Sequence, residues 1–135
     1  MVERTKAEGI EEFEGKVKEV SIEKSTIADE EVEQYHVSIE PINTDLLKKS
    51  KTGMFHEWIK IPSTATSNTV PEGSVLDRFI QELEILNSEV KKIETHTEVL
   101  NFLKNKTFLF KKKKLGKAYA GHEAKEYWIP VKSLD

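Results

Sequence analysis

The chain of 135 residues contains no cysteine, so disulfide bonds and thiolate chemistry are excluded. A reducing compartment fits this composition. No apolar run approaches the roughly 20 residues that a membrane-spanning helix needs. The opening segment, MVERTKAEGIEEFEG, also lacks the apolar stretch of a secretory signal. We therefore expect a soluble, cytoplasmic protein that has no contact with a membrane.

Recognisable catalytic motifs are missing as well. The sequence has no Walker A loop, no G-x-S-x-G elbow and no Rossmann glycine pattern. The four histidines are scattered, and no pair has the spacing of metal ligands: His36, His56, His96 and His122. We therefore predict a protein that is not an enzyme and that uses no cofactor and no metal.

Arginine is scarce, with 2 residues against 19 lysines, and the formal net charge is −3. The charge is distributed unevenly along the chain. Residues 1–45 hold 13 acidic and 5 basic side chains, whereas residues 91–135 hold 5 acidic and 11 basic ones. A net charge near zero therefore conceals a basic C-terminal third, and a local patch could attract a polyanion.

Alternating apolar and polar residues predict five β-strands in a single domain over residues 12–135, after a mobile tail over residues 1–11. The strands are predicted at residues 13–24, 33–42, 54–62, 106–114 and 125–134. Within the first, the apolar positions change phase by one residue, which predicts a β-bulge near Lys18–Glu19. Residues 25–33 are interpreted as an acidic connection, and residues 43–53 as a loop.

Two helices are predicted between the third and fourth strands. Residues 74–87 carry an apolar stripe with helical spacing, and Ser74 with Asp77 resembles a capping box. Residues 95–106 predict a second, short helix, and Asn105 is a candidate for a left-handed cap. The predicted order of elements is therefore β-β-β-α-α-β-β, a mainly β fold with helix.

Three segments carry a resemblance to a known family: EFEGKVKEV, VLDRFIQELEIL and LKNKTFLF. Together with the element order, they resemble single-stranded-DNA-binding proteins of archaeal and phage type that have the OB-fold, although Asn105 stands where glycine is usual. The likeness spans about residues 12–134. It implies a five-stranded Greek-key barrel that binds oligonucleotides over strands 2 and 3 and at the 1–2 and 4–5 loops. The competing architecture is an α+β fold with a curved sheet.

Aromatic residues are the candidate base-stacking groups. Trp58 lies between His56 and Lys60 on the polar face of the third strand, so a base could stack beside a bound phosphate. The alternative is that a helix covers this face. Tyr119 is a second stacking candidate, or it packs locally. Trp128 is a third, because the alternation in the fifth strand favours an outward position for it, whereas Phe108 and Phe110 are predicted to lie in the core.

Lysines supply the candidate phosphate contacts. A run of four leaves the fourth strand, and alternate members should point outward about 7 Å apart. The alternative role of such a run is to protect an edge strand from aggregation. The predicted cationic residues are Lys60, Lys111, Lys112, Lys113, Lys114 and Lys117.

Two functional hypotheses follow from the sequence. The first is a non-catalytic domain that binds single-stranded nucleic acid, with DNA as the first candidate ligand and RNA left open. The acidic segment 25–33 and the scarcity of arginine argue against it, because carboxylates repel phosphates and arginine is the usual bidentate phosphate ligand. The alternative is an OB-like protein–protein interaction module, or a subunit of a homo-oligomer or larger assembly.

Overall fold

The computed structural model describes residues 11–43, 53–116 and 124–135. These residues form one five-stranded antiparallel sheet and two short α-helices that are linked by a 3₁₀ turn at Ser88–Lys92. The described helices are all too short and too polar to cross a membrane. The strands are β1 (Glu12–Ile27), β2 (Glu30–Pro41), β3 (Phe55–Ile61), β4 (Thr107–Lys114) and β5 (Glu126–Ser133), and the helices are α1 (Val75–Leu86) and α2 (His96–Asn101).

The strands lie in the order β3-β2-β1-β4-β5, so β3 and β5 are the two edges of the sheet. The long β1 strand has 16 residues and pairs with β2 and with β4. The predicted mainly β fold, with helix between the third and fourth strands, is confirmed. A closed barrel is not confirmed, because no ladder joins β3 to β5 within the described ranges.

The predicted bulge in β1 is confirmed. Val17 pairs with Ile39 and Glu19 pairs with Ser38, so Lys18 is the extra residue. The bulge explains the phase change in the sequence, because it lets both Val17 and Val20 face the core. Gly15 lies just before it, where an added Cβ would stand 2.6 Å from the side chain of Ile39. Only glycine allows the two strands to pack this closely.

The acidic connection predicted over residues 25–33 is wrong. β1 continues to Ile27 and β2 begins at Glu30, so only Ala28 and Asp29 form the turn. Both have positive φ angles, +52° and +64°, as a two-residue hairpin turn of the primed type requires. The polar sequence suggested a loop because the side chains at this end of the hairpin are mostly exposed on both faces. The glutamates of this segment therefore lie on a strand.

The core lies on the inner face of the sheet and is covered by the helices. The largest buried side chains include Tyr35, Phe79, Phe108 and Phe110, and the prediction that the last two are core residues is confirmed. The predicted stripe of α1 is also confirmed: it buries Leu76, Phe79 and Leu83 and packs Ile80 and Leu86 against the same cluster.

The predicted cap at Ser74 is confirmed, whereas the second helix is shorter than predicted: α2 ends at Asn101 with Phe102 as its C-cap, so Asn105 has the predicted left-handed conformation but does not cap the helix. The Ser74 hydroxyl accepts a hydrogen bond from the backbone N–H of Asp77 at 3.1 Å. The Asp77 carboxylate accepts from the N–H of Gly73 at 2.8 Å rather than from Ser74 itself. Asn105 has a φ of +66°, and its N–H donates to the carbonyl of Val17 at 2.8 Å. This bond ties the end of the helical segment to the β1 bulge.

Candidate nucleic-acid interface

The outer face of β1, β2 and β3 carries polar and aromatic side chains in three cross-strand rows. Alternation along each strand places these side chains opposite the buried ones, such as Val37 and Ile59. From one end of the face to the other, the rows are Glu19–Ser38–His56, Ser21–His36–Trp58 and Glu23–Gln34–Lys60. The centre of this outer face is His36.

Trp58 is accessible, and its ring has defined neighbours. The residue is 38% exposed. The indole ring lies 4.7 Å from the His36 ring, with an angle of only 3° between the two planes. The indole N–H donates to Glu23 at 3.3 Å. A stacked neighbour on one side and a hydrogen bond at the edge hold the ring in place, while part of its surface stays in contact with solvent.

Two histidines and a carboxylate form a hydrogen-bonded chain beside the indole. His36 Nδ1 lies 2.8 Å from Glu23 Oε1, and His36 Nε2 lies 2.8 Å from His56 Nδ1. Because an ionised carboxylate can only accept, His36 carries a hydrogen on Nδ1, and one further proton lies between the two rings. Burial lowers the pKa of His56, and the neighbouring His36 lowers it further. If both imidazole rings were protonated, each would present an N–H group to the other, and the hydrogen bond between the rings would be lost.

Lys60 is the cation nearest to Trp58 along β3. The two residues are two positions apart, so their side chains leave the same face about 7 Å from each other. Lys60 is exposed and pairs across the ladder with Gln34. The outer face of β3 therefore presents an imidazole, an indole and an ammonium group in sequence, as the alternation predicts.

Trp128 has a different environment from the predicted one. The expectation of an outward position is wrong, because β5 is packed on both of its faces. The Trp128 ring lies at the rim of the core. The ring meets Phe13 edge-on at 4.8 Å and lies 5.9 Å from Phe55. Lys112, its partner in the ladder, holds its ammonium group 5.1 Å from the ring centroid.

The lysine run alternates between the two faces of β4, as expected for a strand. Lys111 forms an ion pair with Glu12 at 3.5 Å, and Lys113 forms one with Glu82 of α1 at 2.9 Å. In the sheet, β1 and β2 separate β4 from β3, so the run and Trp58 lie on different parts of the sheet. Lys117 and Tyr119 lie outside the described residues.

The structure thus brings together His56, Trp58 and Lys60, and separately Lys112 and Trp128. His36 was absent from the predicted site although it contacts both His56 and Trp58. Its position on the polar face of the second strand is visible in the sequence, but its neighbours depend on the register between β2 and β3. Within residues 11–43, 53–116 and 124–135, no three His, Asp or Glu side chains are grouped as metal ligands.

Comparison with known proteins identifies no relative of this chain. No protein-family model matches the chain, and no curated protein or solved structure matches it either.

Proposed function

We propose that this protein is a non-catalytic OB-type domain that binds single-stranded nucleic acid, with DNA as the first candidate, on the outer face of β1–β3. The observation that carries the proposal is the exposed indole of Trp58, which is held parallel to His36. Stacking of a base on an aromatic side chain contributes about 1–3 kcal/mol and tolerates any base, because every base has a π-face. Five antiparallel strands with helix between the third and fourth support an OB-type, partly open barrel.

The arrangement along β3 suggests how one nucleotide would bind. The rings of His36 and His56 both stack on Trp58, at 4.7 and 5.6 Å, so the base would stack on the part of the indole that these two imidazoles leave accessible. Lys60 stands one side-chain position further along the strand, where it can neutralise the adjacent phosphate. Glu23 limits this attraction, because its carboxylate bonds to the indole edge. The expected complex is therefore of micromolar affinity and sensitive to salt.

The lysines of β4 would contribute less than Lys60. Lys111 and Lys113 already have carboxylate partners, and a phosphate must replace those partners rather than add to them. Each phosphate that is neutralised contributes about 0.7 to the slope of log affinity against log salt for a single strand. The measured slope should consequently fall well below the value expected if all the predicted lysines contacted phosphates at once.

Single-tryptophan variants test the proposal directly. Trp128→Phe leaves Trp58 as the only indole, and Trp58→Phe leaves Trp128 as the matched control. We expect unlabelled single-stranded DNA to quench the emission of the Trp128→Phe protein with saturation, and added salt to restore it. The Trp58→Phe protein should show little change. Absence of binding to single strands by the unmodified protein at low salt would exclude the proposed function.

A second candidate function rests on the acidic end of the β1–β2 hairpin. Three glutamates and one lysine line a cavity of about 490 Å³ together with apolar residues such as Ile61, which leaves an excess of negative charge: Glu30, Glu31, Glu33 and Lys60. A protein partner that presents a lysine- or arginine-bearing segment would match this charge, whereas a nucleic-acid strand would be repelled. Titration with a lysine-rich peptide distinguishes the two functions: peptide binding that Glu30→Lys/Glu31→Lys abolishes, with no binding of oligonucleotide, would favour the interaction module.

A further inference from the structure

Glu57 is a carboxyl group inside the protein. It belongs to β3, only 7% of the residue is exposed, and its ladder row on the inner face continues through Val37 to Val20. One carboxyl oxygen, Oε1, is enclosed and has no hydrogen-bond partner. An ionised carboxylate in such surroundings is strongly disfavoured unless it is paired and fully hydrogen-bonded.

The residues around Glu57 come from the opposite edge of the sheet. The backbone N–H of Trp128 in β5 donates to the carboxyl group, and the Lys125 ammonium group acts on it electrostatically. Beside this contact, Phe55 of β3 and Trp128 lie 5.9 Å apart, and Phe13 packs on the same indole. Because no ladder joins the described parts of β3 and β5, side chains hold these two edges together.

The protonation state of Glu57 decides how well it fits this junction. Burial raises its pKa from 4.5 to about 7, although Lys125 and the Trp128 N–H act in the opposite direction. The neutral acid fits an apolar row that contains an unpaired oxygen. The carboxylate does not, and it gains solvation only if water reaches it between the strands.

We propose that Glu57 is a proton-controlled latch between β3 and β5: the two edges stay closed over a neutral carboxyl and separate when it ionises. The consequence is a conformational change near neutral pH at the Phe55–Trp128 contact. This inference does not depend on the proposed function, because it concerns the closure of the sheet rather than its outer face.

Other titratable groups at the junction do not account for such a change. Among the described residues, the charged and titratable groups that act on Glu57 or respond to it are Lys125 and Tyr127. The pKa of Tyr127 is raised above 10, first by burial and then by the charge of Glu57, so its hydroxyl remains neutral throughout the relevant range. The flanking residues in the same row, Val37 and Val20, do not titrate.

The test uses the Trp58→Phe protein, in which Trp128 reports from the junction itself. Acrylamide quenching of its emission is measured from pH 5 to pH 9 without any nucleic acid. We expect the quenching constant to rise at least twofold, with a midpoint near pH 7. In the same background, Glu57→Gln should abolish the step and keep the low quenching constant. A flat profile in the parent, or an unchanged step in Glu57→Gln, would overturn the latch.

Two further measurements keep the test decisive if Glu57→Gln does not fold. Lys125→Met removes the cation that lowers the pKa of Glu57, so the midpoint should move to higher pH; a fixed or lowered midpoint contradicts the proposal. In the unmodified protein, amide exchange of residues 126–129 should accelerate beyond the intrinsic tenfold per pH unit between pH 5 and pH 7, and at the intrinsic rate above it. Purely intrinsic acceleration between pH 5 and pH 7 would also contradict the proposal. Neither result bears on oligonucleotide binding.

Discussion

The two tryptophans occupy contrasting environments although both have a lysine nearby. Trp58 is exposed on the outer face, lies parallel to His36 and donates its N–H to Glu23. Trp128 is half-buried and meets Phe13 edge-on beneath the side chain of Lys112. The comparison shows that an aromatic residue beside a cation is not by itself a ligand site. What surrounds the ring decides whether it is available for binding or used for packing.

The largest expected effect concerns Glu57, which lies next to Trp58 in sequence but contacts Trp128 across the sheet. Its pKa is raised in the folded state, so folding takes up a proton between pH 4.5 and about 7. Relative to Glu57→Gln, the unmodified protein should therefore be most stable below pH 4.5. It should lose up to about 3 kcal/mol as pH rises to 7, and little more above it.

Urea unfolding of both proteins at several pH values measures this difference. The difference between the two free energies of unfolding removes the contribution of every other titrating group, including the histidines. A difference that stays constant from pH 4.5 to pH 7 would show that the Glu57 carboxyl does not carry the proton.

The next effect is the difference between the two tryptophans in their contribution to the free energy of unfolding. Trp128→Ala should lower the free energy of unfolding by about 2–3 kcal/mol, because it removes a half-buried ring that packs on Phe13 and Phe55. Trp58→Ala should cost less than about 1 kcal/mol, since the residue lies on the outer face, outside the core, and is 38% exposed. Denaturant titration at one pH is sufficient. Equal losses would mean that both rings serve the fold.

The order of the two tryptophans reverses when affinity for DNA is measured in place of stability: the Trp58 variant should now show the larger effect. Trp58→Ala should weaken single-stranded DNA binding by about 1–2 kcal/mol, roughly 5- to 30-fold, because it removes one stacked base. Trp128→Phe keeps the packing at the rim of the core and should leave the affinity nearly unchanged. Fluorescence anisotropy with a labelled oligonucleotide measures both variants. A loss confined to the Trp128 variant would move the site to β4 and β5.

The smallest effect separates the cations near each tryptophan. Lys60→Gln should remove one phosphate contact and lower the salt slope by about 0.7. Lys113→Gln should change the slope less, because Lys113 is already paired with Glu82. It should instead cost at most about 1 kcal/mol of stability, as is usual for an ion pair at the surface. A larger slope change for Lys113→Gln would indicate that the lysine run makes the main phosphate contacts.

Most of the fold could be predicted because its signals are local. Apolar alternation located all five strands, and the phase change in β1 located the bulge at Lys18. The stripe of α1 and the positive φ of Asn105 were also visible. The β1–β2 turn was missed because Ala28 and Asp29 are not the usual residues of such a turn, and the glutamates beside them are exposed on a projecting hairpin.

The candidate site could be predicted only in part. The outward position of Trp58 follows from alternation. The same alternation placed Trp128 outward wrongly, because β5 is covered on both faces. The lysine run was identified, yet the partners Glu12 and Glu82 lie far from it in sequence. These contacts depend on how separate elements meet.

The sequence by itself determined where the strands and helices form and which face of each is apolar, because these properties depend on residues within a few positions of one another. Only the tertiary structure decided that His36 stacks on Trp58 and that Glu57 faces Trp128. The physical reason is that the first contact depends on the register between β2 and β3, and the second on how the sheet curls. Both are set by packing over the whole core rather than by local pattern.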